Sequence, residues 1–361
     1  LSGTICLHAI IKSHTLMCSK RATSPLISVL IPCYNAAETL PEALDSLRDQ
    51  TLAEYEIVAI DDGSSDATLP LLQERARTDA RLRVHTQAHA GIIAALNKGL
   101  TLCRAGYIAR MDTDDYSYPE RLERQVEYLQ NHPETAVVGC LVEGYPSQQV
   151  RQGFRIYISW MNSLVSDDDI RREIFIESPF AHPSVAYRRE WIESAGGYQE
   201  HGWAEDYDLW LRLYLAGAGF AKLPQVLLKW REHPQRLTRT DSRYALENFI
   251  RAKAHYLASG PLRGRDAVLI WGAGMIGRRL SKHLLRQEAP LAAFIDVDPA
   301  KIGSTRRGFP ILSPDDLPDW WKRYARPVVL AAVGARGARQ LIRQRVENLG
   351  LREGQDWWGV A

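Results

Sequence analysis

From residue 27 onward, short continuous apolar runs alternate with longer segments whose apolar positions recur every three or four residues. The first pattern is that of a strand buried on both faces, the second that of an amphipathic helix. Strands are accordingly predicted over 27–32, 55–60, 82–86 and 107–111, and helices over 36–50, 67–78, 91–103 and 119–131, the last with Pro119 at a favoured first position. This alternation predicts an α/β fold with a mainly parallel, doubly wound sheet. After an apolar run over 136–143 the pattern loosens through an aromatic-rich stretch, then returns as a strand near 184–187 and a helix over 206–216. A basic helical stretch over 243–257 ends at Ser259-Gly260-Pro261, which reads as a linker. Beyond it the alternation restarts, with strands over 267–271, 292–296 and 328–333 and helices over 276–287, 314–324 and 336–349. The expected division is a leader over 1–24, a first domain over 25–258 and a small second α/β domain over 262–361.

Composition sharpens this picture in three places. The length of 361 residues exceeds what one hydrophobic core usually serves, which favours two domains. A formal charge of +2 speaks against a nucleic-acid partner, because a phosphate-binding surface shows as an excess of Lys and Arg. The five cysteines are odd in number and never form a C-x-x-C pair, so neither a disulfide framework nor a zinc site is indicated and a reducing, cytoplasmic setting fits. No apolar run reaches the roughly 18 to 20 residues that cross a bilayer, so no transmembrane segment is expected. The leader is interrupted by His8, Lys12 and His14 and lacks a small-residue cleavage pattern; with Met17 close to the first strand, it reads as a loose tail or an over-extended start.

In a doubly wound sheet, ligands bind beyond the carboxyl ends of the strands. Polar clusters stand at those ends: Pro32-Cys33-Tyr34-Asn35 after the first strand, Asp61-Asp62-Gly63-Ser64-Ser65-Asp66 after the second, and Asp112-Thr113-Asp114-Asp115 after the fourth. Acidic clusters converging on one edge repel one another unless a cation lies between them. Asp112 and Asp114, two residues apart, offer hard oxygen ligands of the kind that suit Mg²⁺ or Mn²⁺ holding a substrate phosphate. Taken alone, the same run reads as an Asp-rich turn before the next helix. Asn35 three residues ahead of Glu38 is an N-cap arrangement whose helix terminus faces the ligand edge, and Tyr34 is placed to stack on a base.

The run from Ile27 to Asn35, then Ile60-Asp-Asp-Gly-Ser-Ser-Asp-Ala-Thr68, then Met111-Asp-Thr-Asp-Asp115, resembles in order and spacing the family 2 glycosyltransferases with the A-type nucleotide-sugar-binding fold. The resemblance covers about residues 25 to 255. It implies a nucleotide-sugar donor, UDP-linked by expectation, and a glycan or lipid-linked acceptor in cell-surface polysaccharide synthesis, with inversion, in the cytoplasm or at the inner face of the membrane, where peripheral association is allowed. Carried onto this chain, it implies that Pro32, Tyr34, Asn35 and Glu38 line the nucleotide pocket, that Asp61 and Asp62 contact base or ribose, and that Asp112 and Asp114 form the metal and diphosphate site. Gly91 and Asn97 match the family's segment near the nucleotide, although the Arg that often precedes this Asn is Leu96 here. Downstream, Ala181-His182-Pro183-Ser184, Gly196-Gly197-Tyr198 and Glu205-Asp206-Tyr207-Asp208 resemble the acceptor half. The resemblance makes Asp206 the general base, with Glu205 as the alternative, and puts His182 near the diphosphate or acceptor and His233 near the metal. Without it, Glu205 and Asp206 read as acidic residues starting a helix.

In the second domain, Gly272-Ala-Gly274-Met-Ile-Gly277 follows a strand and opens a helix, and Asp296 ends the next strand. That is the context of a dinucleotide fingerprint, and the region resembles small Rossmann-like nucleotide-binding modules. Gly272, Gly274, Gly277 and Asp296 are therefore a candidate second nucleotide site, with binding or scaffolding expected rather than redox chemistry. Two other readings of the whole chain stand beside a transferase: a catalytically silent nucleotide-sugar-binding scaffold, and a bifunctional enzyme whose second domain modifies a sugar nucleotide.

Overall fold

The computed structural model describes residues 24–361. The expected leader over 1–24 lies outside the described residues except for Ser24. The first half of the chain forms β1 (Ile27–Cys33), α1 (Leu40–Arg48), β2 (Tyr55–Asp61), α2 (Thr68–Thr78), β3 (Leu82–Thr86), α3 (Ile92–Leu102) and β4 (Tyr107–Arg110). β1 pairs in parallel with β2 and β4, and β2 with β3. Every residue of β2 and all of β1 except Pro32 are buried, which is why both strands read as mainly apolar runs; their interior polar residues, Ser28 and Glu56, hydrogen-bond each other at 2.7 Å.

Helix α1 starts four residues later than the sequence suggests. Asn35 adopts a left-handed backbone (φ 48°), incompatible with the extended conformation of an N-cap, and residues 36 to 39 form a turn instead. The Asn35–Glu38 capping arrangement is therefore corrected: Asn35 Oδ1 accepts from the amide of Ser65 at 2.8 Å, and Thr39 occupies the cap position.

Next come β5 (Tyr116–Ser117), α4 (Arg121–Asn131), β6 (Thr135–Tyr145), α5 (Gln152–Ser163), α6 (Asp167–Glu173), β7 (Ala186–Arg188), α7 (Arg189–Ser194), α8 (Glu205–Leu215) and β8 (Gly219–Arg231). The sheet order is β3-β2-β1-β4-β7-β6-β8-β5. Strand β7 runs antiparallel to both β4 and β6, and β5 antiparallel to β8, so this side is mixed. The thirteen-residue β8 escaped the hydrophobic pattern because Pro224 and Gln225 break its alternation. They fall where the pairing with β6 skips from Leu223 to Val226, a bulge that tolerates a proline.

The chain continues through α9 (Leu237–Thr240) and α10 (Leu246–Ser259) into a second layer: β9 (Ala267–Trp271), α11 (Met275–Arg286), β10 (Leu291–Ile295), β11 (Thr305–Arg306), β12 (Phe309–Leu312), α12 (Leu317–Trp321), β13 (Pro327–Ala331), α13 (Ala338–Asn348) and β14 (Trp357–Gly359). Its sheet has the order β11-β12-β10-β9-β13-β14, parallel throughout except for β11 against β12. The order reverses at β9, and the Gly272 turn leaves the carboxyl end of that strand. A methyl group at Gly277 would lie 1.8 Å from the Gly272 carbonyl oxygen, so this glycine lets helix and turn approach.

The expected linker is a packed turn. Gly260 sits against Leu215, Leu262 is buried, and one continuous core joins Phe175, Leu213 and Tyr256 to Leu262, Leu280 and Val360. The buried Lys253 ammonium donates to the carbonyls of Ile176 (2.6 Å) and Val360 (3.3 Å), and Glu173 pairs with Arg339 (2.6 Å) and Arg343 (3.0 Å). The two sheets thus share apolar surface and buried charge, unlike domains joined by an exposed tether. A chain ending at Ser259 is expected to melt well below the full chain or to lose its cooperative transition. Calorimetry checks this; an unchanged melting temperature contradicts the shared core.

Candidate active site

The carboxyl ends of β1, β2 and β4 lie side by side at the centre of the first sheet and carry its first group of polar residues. Tyr34 is exposed and stacks on His89 with ring centroids 4.1 Å apart. Pro32, half-buried, lies near the end of β1, and Glu38, exposed, in the turn that follows it. Asp61 is buried at the end of β2, and its Oδ1 has no hydrogen-bond partner among the described residues. Asp62 is different. Its carboxylate accepts from the amides of Ala90 (3.0 Å) and Gly91 (2.8 Å) and from Gln87, and meets His89 Nδ1 at 2.9 Å. Its oxygens are spent on holding the 87–91 loop, so of this Asp pair Asp61 is the one with acceptor capacity to spare.

Asn97, grouped from sequence with the nucleotide residues, is engaged elsewhere. Its side chain accepts from the Tyr198 amide (2.9 Å) and donates to the Tyr198 carbonyl (2.8 Å), a two-way clamp between α3 and the loop before α8. Gly197 is required beside it, with φ 68° and its missing methyl position 2.6 Å from Asn97 Oδ1.

After β4, Asp112, Asp114 and Asp115 bring carboxylate oxygens within 4.8 Å of one another. Asp115 was not singled out from the sequence, though it stands in the same run; it is buried, accepts from the Arg231 amide at 2.8 Å, and leaves Oδ2 without a partner among the described residues. Burial, then the charges of Asp114 and Asp112, push its carboxyl well above the usual range. Burial likewise raises Asp112, against the opposing pull of Arg110. For Asp114, burial works against the charge, but the hydrogen bond to His233 at 2.8 Å and the charges of His233 and Arg236 outweigh it and hold the carboxyl below its ordinary value. Three crowded carboxylates with an orphaned oxygen form a hard-oxygen donor set that fits Mg²⁺ or Mn²⁺.

Arg110, which sequence reasoning missed, ends β4 with its guanidinium buried against Asp112. A buried strand-end arginine directly before an acidic run was the available signal. Its charge also acts on Glu205, Asp206, His182 and Tyr198, so one buried cation reaches both the strand-end aspartates and a second group of residues.

That second group is built on the start of α8. Glu205 is buried and accepts from Tyr244 Oη at 2.7 Å, while Asp206 keeps partial exposure. Burial, and then the neighbouring Glu205 charge, push the Asp206 carboxyl up to about 8. His182 hydrogen-bonds Tyr198 Oη at 2.8 Å and has Nδ1 3.8 Å from Glu205; burial, with Arg110 nearby, holds its pKa well below the ordinary value and keeps it neutral. Tyr198 belongs to the Gly196-Gly197-Tyr198 run that resembles the acceptor half, whereas Tyr244 carried no sequence signal for this position.

At the second glycine turn, the loop itself engages the acidic residue. Asp296 accepts from the amides of Ala273 (2.9 Å) and Asp298 (3.0 Å) and pairs with Lys301 at 3.3 Å, so its oxygens are occupied within the protein.

Residues 28–196 match the family model described as Glycosyl transferase family 2. The amylovoran biosynthesis glycosyltransferase AmsE of Erwinia amylovora is 37% identical over 209 residues, which are 57% of this chain and 76% of that protein. The chain belongs to glycosyltransferase family 2. Among further family 2 relatives, the UDP-Gal:alpha-D-GlcNAc-diphosphoundecaprenol beta-1,3-galactosyltransferase of Escherichia coli is 27% identical, covering 68% of this chain and 88% of that one. The fold is that of S. aureus TarS residues 1–349, solved in complex with UDP-GlcNAc: TM-score 0.53, 21% identity, 72% of each chain. This glycosyltransferase thus has the A-type fold, with a second sheet following it. The family match contains the three strand-end clusters and Asn97, and ends before Glu205.

The Asn97 clamp ties the matched half to the part that follows. Asn97→Ala is expected to lower stability by about 1–3 kcal/mol, because it leaves two buried backbone groups of Tyr198 unpaired. Denaturant titration checks this, and a change within error means that water replaces the clamp.

Proposed function

We propose that this glycosyltransferase moves a sugar, with inversion, from a UDP-sugar to a glycan or lipid-linked acceptor in cell-surface polysaccharide synthesis, acting at the cytoplasmic face of the membrane. No helix among the described residues is long and apolar enough to cross one, so any membrane contact of these residues is peripheral. The observation that carries the reading is the presence of two separate carboxylate groups, both under the charge of one buried guanidinium: Asp112, Asp114 and Asp115 after β4, and Glu205 with Asp206 at the start of α8. The amylovoran enzyme and the galactosyltransferase named for GlcNAc-diphosphoundecaprenol among the relatives support the process and the acceptor class.

In a single displacement the acceptor oxygen attacks the anomeric carbon while the diphosphate leaves from the opposite face, so base and leaving-group stabiliser stand apart. Tyr34 offers its exposed ring to the base of the donor, and Asp61 offers its open oxygen to the ribose. A divalent cation of the Mg²⁺ or Mn²⁺ class, held by Asp112, Asp114 and Asp115, supplies positive charge to the diphosphate. Asp206 takes the proton from the acceptor hydroxyl. Glu205, fixed by Tyr244 and flanked by neutral His182, raises the basicity of Asp206 by its charge. His233 keeps Asp114 ionised, and Arg110 orients Asp112. Nucleotide binding at Gly272, Gly274 and Gly277 forms no part of the transfer.

Asp206→Asn keeps the shape and removes the base, so transfer from a panel of UDP-sugars is expected to fall on the order of a hundredfold or more, with UDP affinity nearly unchanged and Glu205→Gln milder. The pH profile carries the same assignment. Asp206 is protonated below its raised pKa, so kcat/KM rises as pH passes through about 8 and flattens above it. Wild-type turnover in both variants sinks the assignment, and activity only in Asp206→Asn transfers the role to Glu205.

Chelation is expected to abolish transfer and weaken UDP-sugar binding, with Mn²⁺ or Mg²⁺ restoring both, and Asp114→Ala should make donor affinity insensitive to added metal. Full turnover of the wild type in chelator contradicts the metal assignment.

A further inference from the structure

Helices α10 and α11 pack against each other across the seam between the two sheets, and beside their contact lies a cavity of about 160 Å³. Its walls include Arg251 and His255, four residues apart on α10, His283 and Arg286 on the last turn of α11 and Gln287 just after it, with Trp203 from the loop before α8. No carboxylate lines it.

Elsewhere on this seam charge is compensated. Glu173 takes Arg339 and Arg343, Glu353 takes Arg343 again, and Glu247 takes Lys282 and His283. At the cavity His283 alone shares in this, through Glu247, and the other basic residues, exposed Arg286 and half-buried Arg251 and His255, have no carboxylate partner among the described residues. Among the described residues, Arg286 and His255 have no side-chain hydrogen bond or ion pair, and Arg251 reaches only the neutral Asn248 at 2.7 Å, with its guanidinium 5.5 Å from the Trp203 ring. Asp208, the carboxylate nearest Trp203, is already shared by His201, Trp203 Nε1, Tyr256 and Arg212. Residues 1 to 23 contain no Asp or Glu and have no counter-charge to lend. The C-terminal dipole of α11 favours cations in its last turn and accounts for His283 and Arg286 individually. It does not account for Arg251 and His255 facing them from another helix.

From this convergence we infer that the seam cavity is a binding site for a phosphate-bearing anion, distinct from the donor pocket. Two guanidinium groups offer paired N–H donors to phosphate oxygens, His255 and Gln287 add single donors, and the Trp203 face closes one side. The volume lies below the roughly 300 Å³ at which drug-sized ligand pockets begin, which suits inorganic phosphate or a small phosphorylated compound and excludes a dinucleotide. The occupant reports to the acceptor side of the enzyme: Trp203 is pinned through its indole N–H to Asp208 on α8 at 2.8 Å and stands two residues before Glu205.

The test uses the full chain and inorganic phosphate, titrated calorimetrically in chloride buffer at constant ionic strength with UDP present to fill the donor pocket. Saturable phosphate binding is expected, weakened about tenfold or more in the Arg251→Gln/Arg286→Gln double variant with UDP binding retained. Absence of saturable binding, or equal affinity in the double variant, overturns the site. A second variant guards against misfolding. Arg286→Glu places a fixed anion among the remaining cations, so its melting temperature in phosphate-free buffer should exceed that of the wild type and no longer rise with phosphate. A lower melting temperature with an undiminished phosphate response also overturns the proposal. Glucose 1-phosphate as a parallel probe separates the sources: tighter binding than phosphate assigns a sugar phosphate, equal binding the free ion.

Discussion

The guanidinium of Arg110, buried at the end of β4, is the charge around which the site is arranged. Asp112, Asp114 and Asp115 crowd one another, Glu205 and Asp206 do the same, and Arg110 is a buried cation whose charge reaches both groups. Taking a guanidinium out of water is costly, and the ion pair with Asp112 offsets that cost only because the sheet holds both partners in place. β4 lies between β1 and β7, and the Arg110 amide donates to Val185 at 3.0 Å, just after the turn that carries His182. One strand end therefore sets the donor aspartates, the position of His182 and the potential felt by the pair on α8.

Much of the architecture was legible because its strands are buried on both faces. β1 and β2 read as mainly apolar runs, and the polar clusters do stand at their carboxyl ends. What failed to show was the mixed side of the sheet. β7 is only three residues long, and β8 hides its alternation behind Pro224 and Gln225 at a bulge. At the candidate site, the family resemblance pointed to Asp61, Asp62, Asp112, Asp114 and the Glu205–Asp206 pair. It did not distinguish residues with oxygens to offer from residues already committed, because that depends on partners far away in the chain. Asn97 is committed to Tyr198 and Asp62 to the 87–91 loop, and a backbone angle at Asn35 removed its cap. Arg110 and Tyr244 matter through burial and contact, which no local pattern encodes.

The second sheet is not an appendage. Its last strand and α13 press on the segment from Glu173 to Ser178, which leads into His182, and Lys253 is solvated by one carbonyl from each side of the seam. A charge buried between two carbonyls has no favourable way to separate them, so the geometry of the acceptor side is underwritten by residues more than a hundred positions downstream.

The place of β7 also sets an order of events in time. β1 to β4 are joined by short crossovers, and their contacts close small loops as the chain emerges. β7 must then thread between β4, some eighty residues earlier, and β6, while β5 waits for β8 more than a hundred residues later. Non-local antiparallel pairings of this kind are the slow steps of folding. The strand-end clusters after β1, β2 and β4 can therefore form while the chain that carries Glu205 and Asp206 is still unfolded.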